Sequence, residues 1–156
     1  MMKKILILEG SPRRNGNSAI LSDEFARGAE EAGCSVEKNR VAGKKVAGYL
    51  GCNACYRNGG ACVQKDDMAE IREKMLEADV IVLASPIYFY SMTARMKAVI
   101  DRTFAFYSQL DGFTCCVPNA KEGGVVPGRN GSRWHSRVES HGGGLRAGEI
   151  FFIKNQ

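Results

Sequence analysis

No apolar run in this 156-residue chain approaches the ~18–20 residues needed to cross a bilayer. The first such run, Ile5-Leu6-Ile7-Leu8, stops at Glu9 and is shorter than the about 7–15 apolar residues of a signal-peptide core. The sequence therefore predicts a cytoplasmic chain with no membrane partner. Charge of one sign is also scarce, since 22 basic against 17 acidic residues leave a net +5. That balance leans toward anionic ligands but falls short of a nucleic-acid footprint. Histidine occurs only at His135 and His141, without companion ligands at useful spacing, and both read as solvated. No Ser/His/Asp set and no carboxylate pair stands out, so no catalytic side chain is assigned. The Asp101-Arg102 pair reads as helix surface or interface.

What is present is an ordinary globular balance, 44% apolar and 25% charged residues. The length fits one domain over residues 1–156, with a core that needs no disulfide staples. The patterning changes near residue 110. Residues 111–149 hold 9 of the 18 glycines, both histidines and the single tryptophan. This stretch reads as irregular and Gly-rich, with no helical stripe.

Residues 1–110 alternate strand and helix signals. Residues 3–8 carry a short continuous apolar run at Ile5–Leu8, as expected of a strand buried on both faces. A helical stripe at Leu21, Phe25, Ala29 and Ala32 follows, with Asn17 or Ser18 as N-cap and Gly33 as stop. A weaker strand is expected around residues 34–41. A second stripe runs Met68, Ile71, Met75, Ala78, with Asp67 as cap and Glu70 completing a capping-box-like pair. Residues 80–84 are the second strongly apolar strand. A last helix starts near Thr93 with Met96, Val99, Ile100 and Thr103 inward. The alternation predicts parallel β-α-β units with right-handed crossovers. Residues 113–117 and 150–153 add candidate strands, for a flavodoxin-like doubly wound parallel sheet of order 2-1-3-4-5. In that order residues 113–117 fall beside the third strand, residues 118–146 carry no stable helix, and the C-terminal part is atypical or incomplete.

In an open parallel sheet, ligands bind beyond the carboxyl ends of the strands, where the strand order reverses. Two loops end there. Residues 10–18 carry Ser11, Arg13, Arg14, Asn15, Asn17 and Ser18 between flexible glycines and lead into a helix N-terminus. Hydrogen-bond donors, positive charge and the helix dipole suit a phosphate there, although a polar helix-capping turn would read alike. The loop has neither a Walker A nor a GxGxxG pattern. Residues 85–92 place Tyr88, Phe89 and Tyr90 in succession after a buried strand. These aromatics suit a flat ring system; an aromatic plug or a subunit interface remains open.

Six cysteines without an export signal read as thiols, metal ligands or redox groups. Cys52 and Cys55 have CxxC spacing and Cys62 follows. Reduced thiols near the ligand, a redox pair and a metal site are all open readings of the three.

The stretches ILEGSPRRNGNS, GCNACYRNGGACVQKDDM and SPIYFYSMTARMKAVIDRTF, in this order, resemble the NAD(P)H-dependent FMN reductase family of flavodoxin-like flavoproteins over about residues 3–107. The resemblance implies FMN as cofactor, NAD(P)H as co-substrate, and a small-molecule or redox-protein electron acceptor. It implies that Ser11, Arg13, Asn17 and Ser18 hold the FMN phosphate, and that Pro86, Ile87, Tyr88 and Phe89 line the isoalloxazine. It also implies a homodimer. Related iron–sulfur flavoproteins carry four cysteines in the position of residues 52–62. Here Cys52, Cys55 and Cys62 make three, so an iron–sulfur cluster is not expected. Two alternatives accompany this reading: a flavodoxin-type electron carrier with no nicotinamide reaction, and a weakly active remnant whose residues 111–149 are frame-shifted or degraded.

Overall fold

Apolar side chains alternate along two strands and set the architecture. Strand β1 (Lys4–Glu9) sends Leu6 and Leu8 to one face and Ile5 and Ile7 to the other. Strand β3 (Val80–Pro86) does the same with Ile81 and Leu83 against Val82 and Ala84. Both faces are therefore buried, as a parallel sheet covered by helices on each side requires. The computed structural model describes residues 2–108 and, as backbone, residues 148–154.

Strand β1 pairs in parallel with β2 (Ser35–Arg40) on one side and with β3 on the other. Helix α1 (Asn17–Glu31) carries the chain from β1 to β2, and Ala26, Phe25 and Ala29 join Ile5, Ile7, Val82 and Ala84 in one core cluster. On the opposite face α3 (Met68–Glu77) and α4 (Ala94–Arg102) supply Met68, Ile71, Met75, Met96 and Val99 to the larger cluster. A one-turn helix α2 (Ala54–Arg57) lies in the irregular segment before α3. Every residue of the expected α3 stripe, Met68, Ile71, Met75 and Ala78, is buried.

The described sheet has the order β2-β1-β3-β4, and its fourth place corrects the expectation for residues 113–117. Strand β4 (Gly148–Lys154) occupies the edge beside β3 and runs antiparallel to it, from Val80↔Lys154 to Pro86↔Gly148. Residues 150–153 thus form a strand, as their aromatic and β-branched run predicts. They take the place beside β3 because its apolar edge needs a hydrogen-bonding partner. Residues 113–117 and 118–146 lie outside the described residues.

Helix α1 departs from its predicted stripe. Leu21 is exposed, and the buried positions are Ser18, Ala19, Ser22 and Ala26. Small side chains let the helix approach the sheet closely. Ser22 is accommodated because its hydroxyl donates to the Ala19 carbonyl at 2.9 Å and to Glu9. The N-cap is Gly16, in extended conformation, rather than Asn17 or Ser18, which already lie inside the first turn. At the other end Gly33 (φ 81°) takes the left-handed conformation that stops the helix.

Asp67 stands at the N-cap position of α3 without capping through its side chain. Its carboxylate accepts instead from the Lys45 backbone N–H at 2.7 Å, while Asp66 accepts from Met68 and Ala47 at 3.2 and 2.9 Å. Both aspartates are spent tying residues 45–47 to α3. Glu70 pairs with Lys44 and Lys74 rather than closing a capping box.

Candidate functional site

The carboxyl ends of β1 and β3 deliver two loops to one place. Gly10 leaves β1 with its N–H donating to the Ala84 carbonyl at 2.8 Å. Its own carbonyl accepts from Thr93 Oγ1 at 3.0 Å. A Cβ at Gly10 would stand 3.0 Å from Thr93 Oγ1 and 3.1 Å from Met96 Cβ, so any larger residue would press on both neighbours. Thr93 also caps α4, accepting from the Met96 N–H, and its own N–H donates to Ser85 Oγ at 3.1 Å. Gly10, Ser85 and Thr93 therefore stitch the loop after β1 to the loop after β3.

Within the first loop Ser11 is buried, its hydroxyl accepting from the Arg13 N–H and donating to the Arg13 carbonyl, both at 3.2 Å. Ser18 is buried in the first turn of α1, whereas Arg13, Arg14 and Asn17 are exposed. The helix opens at Gly16, whose carbonyl accepts from Ala19 and Ile20 at 2.9 and 3.1 Å, and no side chain caps this end. From the end of β2, Arg40 donates to the Pro12 carbonyl at 2.8 Å and fixes the loop from its far side.

The second loop is a tight hairpin. Tyr88 and Ser91 exchange backbone hydrogen bonds at 2.7 and 3.1 Å. Between them Phe89 (φ 48°) and Tyr90 (φ 63°) are both left-handed, the pattern of a type I′ turn. Glycine and asparagine favour such positions; bulky side chains there cost about 1–3 kcal/mol each. Both rings project into solvent, 96% and 95% exposed, with centroids 5.9 Å apart. Pro86 and Ile87 are half-buried and Tyr88 is exposed at the base of the hairpin.

The structure thus brings Ser11, Arg13, Asn17 and Ser18 to the same sheet end as Pro86, Ile87, Tyr88 and Phe89. Sequence reasoning missed Ser85 and Arg40, and it took Thr93 only as a helix start. A polar residue at the end of a buried strand and a basic residue closing the neighbouring strand were the available signals.

A second locus is built from residues outside these loops. A cavity of about 20 Å³, room for about one water, is lined by Cys52, Cys55, Cys62, Tyr49, Gln64 and Arg102 among others. Cys55 is buried, and Cys52 and Cys62 are exposed. Arg102 corrects the surface reading of the Asp101-Arg102 pair: it is 3% exposed, while Asp101 pairs with Lys97 on the helix surface. Arg102 forms an ion pair with Asp66 and donates to the Ala47 carbonyl and to Cys62 Sγ, each at 3.4 Å. Its Nε is buried with no hydrogen-bond partner among the described residues. Burial pulls the guanidinium down, but the bonds to Asp66 and Cys62 outweigh it and hold Arg102 above its ordinary value. Burial likewise pushes Asp66 up, and Arg102 with the Ala47 and Met68 N–H groups brings it below the usual carboxylate range.

A parallel β2-β1-β3 core with helices on both faces, and paired loops at the point where strand order reverses, defines a flavodoxin-like α/β protein. The chain belongs to the NADPH-dependent FMN reductase family, whose sequence model matches residues 3–136. It is 41% identical to an iron–sulfur flavoprotein of Archaeoglobus fulgidus over 67% of this chain and 47% of that protein. An iron–sulfur flavoprotein of Methanocaldococcus jannaschii is 29% identical over 98% of this chain and 72% of its own length. The chain spans about half the length of most of the curated relatives it matches, 47% to 52% for the first four. Among solved structures, a crystal structure described as a quinone reductase from Klebsiella pneumoniae has the same fold, with TM-score 0.52 and 23% identity over 65% of this chain and 45% of that one. Among the described residues no helix is long and apolar enough to cross a membrane.

Proposed function

We propose that the chain binds FMN across the carboxyl ends of β1 and β3. In this reading it is an oxidoreductase that passes electrons from NAD(P)H, through the flavin, to a small-molecule or redox-protein acceptor. The observation that carries it is the stitching of a polar, helix-opening loop to a strained aromatic hairpin through Thr93. The donor set fits a flavin mononucleotide. Ser11, Arg13, Asn17 and Ser18 lie where a phosphate would meet the N-terminal end of α1 and its dipole. Pro86, Ile87, Tyr88 and Phe89 lie where a flat apolar ring would leave water.

When bound, FMN supplies the hydride and electron chemistry itself. The chain's own part is to hold the phosphate, to orient the ring and to exclude water from one of its faces. No side-chain acid or base is assigned to the reaction. The solvent-facing Phe89 and Tyr90 also support a homodimer, in which a second copy would cover rings too exposed to leave bare.

Purified protein with the absorption bands of oxidised flavin, and NADH or NADPH oxidation that depends on FMN, is the expected result. Failure to bind FMN in a fluorescence titration overturns the reading. Binding without nicotinamide oxidation favours the electron carrier.

A further inference from the structure

The cysteine cavity serves no purpose in the proposed function, and it carries a separate one. Relatives named iron–sulfur flavoproteins raise the question of a cluster, which is held by four thiolates in the common types. Residues 52–62 offer three cysteines. Among the described residues no three Cys, His, Asp or Glu side chains could share a metal ion, and the polar partner recorded for Cys62 is a guanidinium. The described residues do not fit a cluster.

They do place three free thiols around one small cavity, two open to solvent and one beneath, with a buried cation against the sulfur of Cys62. We propose that this loop is a dithiol–disulfide site, in which Cys62 exchanges with an incoming small-molecule or protein disulfide and the Cys52/Cys55 pair supplies the resolving thiol.

The chemistry balances without a further oxidant. The Cys62 sulfur attacks one sulfur of the incoming disulfide. That S–S bond breaks, a mixed disulfide forms on Cys62, and the departing half carries away the electron pair and the proton that Cys62 gave up. A thiol of the Cys52/Cys55 pair then attacks the Cys62 sulfur and displaces the other half, which takes the second proton. Two protein thiols have been oxidised and one disulfide has been reduced to two thiols. Exposure of Cys62 gives the reagent access, and burial of Cys55 keeps that thiol for the internal step. When the internal disulfide is reopened, negative charge gathers on the departing Cys62 sulfur, and Arg102 stands 3.4 Å away to meet it. Shared surroundings are also evident at Tyr49, whose hydroxyl is pushed up by burial and then by its neighbours Cys55, Cys52, Tyr56 and Cys62.

The test uses the full chain, purified anaerobically and reduced, then treated with bis(2-hydroxyethyl) disulfide and followed by intact mass and peptide mapping. Iron and acid-labile sulfide are measured on the same protein. The expected product has lost two hydrogens, joins Cys62 to Cys52 or Cys55, and comes from protein without stoichiometric iron. Cys62→Ser should slow the loss of thiols about tenfold or more, as expected when the exposed sulfur beside the Arg102 guanidinium is gone. The double variant Cys52→Ser/Cys55→Ser should stop at a mixed disulfide on Cys62 and gain mass. These variants differ in opposite directions, so misfolding cannot produce both results. Stoichiometric iron and sulfide, an unchanged rate in Cys62→Ser, or a disulfide that omits Cys62 overturns the proposal. Because the readouts are protein mass, the mapped disulfide, iron and sulfide, the outcome does not depend on whether FMN binds.

Discussion

Thr93 and Gly10 follow different strands, yet a hydrogen bond of 3.0 Å joins the hydroxyl of one to the carbonyl of the other. The same hydroxyl accepts from the Met96 N–H and so caps α4. One side chain therefore fixes the start of a helix and the spacing of two loops.

Thr93→Val should remove both roles and destabilise the protein by about 1–3 kcal/mol, the sum expected for one cap and one buried hydrogen bond. FMN affinity should fall as the loops separate. Thr93→Ser keeps the hydroxyl and should recover most of both losses. Denaturant unfolding of the apo-protein, beside a flavin titration, separates the effects.

Gly10→Ala tests the close approach from the other partner. The added methyl would meet Thr93 Oγ1 at 3.0 Å and Met96 Cβ and Cε at 3.1 Å, and of these only Cε is the free end of a flexible chain. Overpacking of this kind costs about 1–3 kcal/mol, which a lowered thermal midpoint would report. An unchanged midpoint would mean that the two loops part easily.

Arg13→Ala combined with Ser18→Ala should weaken FMN binding by more than about a hundredfold, since hydrogen bonds to a charged phosphate contribute ~1.5–3 kcal/mol each. Fluorescence titration reads this directly. Equal affinity in the double variant would remove these residues from the phosphate site.

The aromatic hairpin should show a conflict between stability and binding. Replacing Phe89 and Tyr90 by Asn and Gly supplies the residues that a type I′ turn prefers and should stabilise the apo-protein by about 1–3 kcal/mol. The same change removes the ring proposed to line the flavin, so FMN affinity should drop. A variant that loses stability and keeps its affinity would contradict both assignments.

Asp66 should make the fold sensitive to acid. Its folded-state value lies below the usual carboxylate range, so its contribution is complete above the unfolded value of about 3.9 and is lost as pH falls through the lower folded value. Glu70, held down to about 2 by hydrogen bonds from Lys44 and Lys74, should titrate in the same acid window. Carboxyl chemical shifts followed by NMR between about pH 5 and 2 check both groups.

The parallel core was legible because its signals are dense. Residues 5–8 and 80–84 are continuous apolar runs, and the Met68, Ile71, Met75, Ala78 stripe has an unambiguous period. Of the helix α1 stripe, Phe25 and Ala29 meet the core and Leu21 does not, since Ser18 and Ser22 are buried instead, Ser22 with a tertiary hydrogen bond to Glu9 that hydrophobicity does not encode. Arg102 escaped for a related reason. A charged residue is read as exposed unless its partner is visible, and Asp66 lies far along the chain. The loops after β1 and β3 are legible one by one, but the bond that joins them depends on how β1 and β3 align. The partner of the β3 edge was misjudged because strand propensity carries no information on direction or order.

That edge partner shapes the route by which the chain folds. Strands β1, β2 and β3 with their helices can assemble from contacts within the first hundred residues or so, whereas Val80 finds Lys154 only across a long separation in sequence. Loop closure raises the contact order of the sheet and slows its completion relative to the helices. During that delay the apolar rim of β3 is a template for strands of other molecules, and aggregation at high concentration competes with the arrival of β4. Refolding yield should accordingly fall with protein concentration more steeply than native stability alone would suggest.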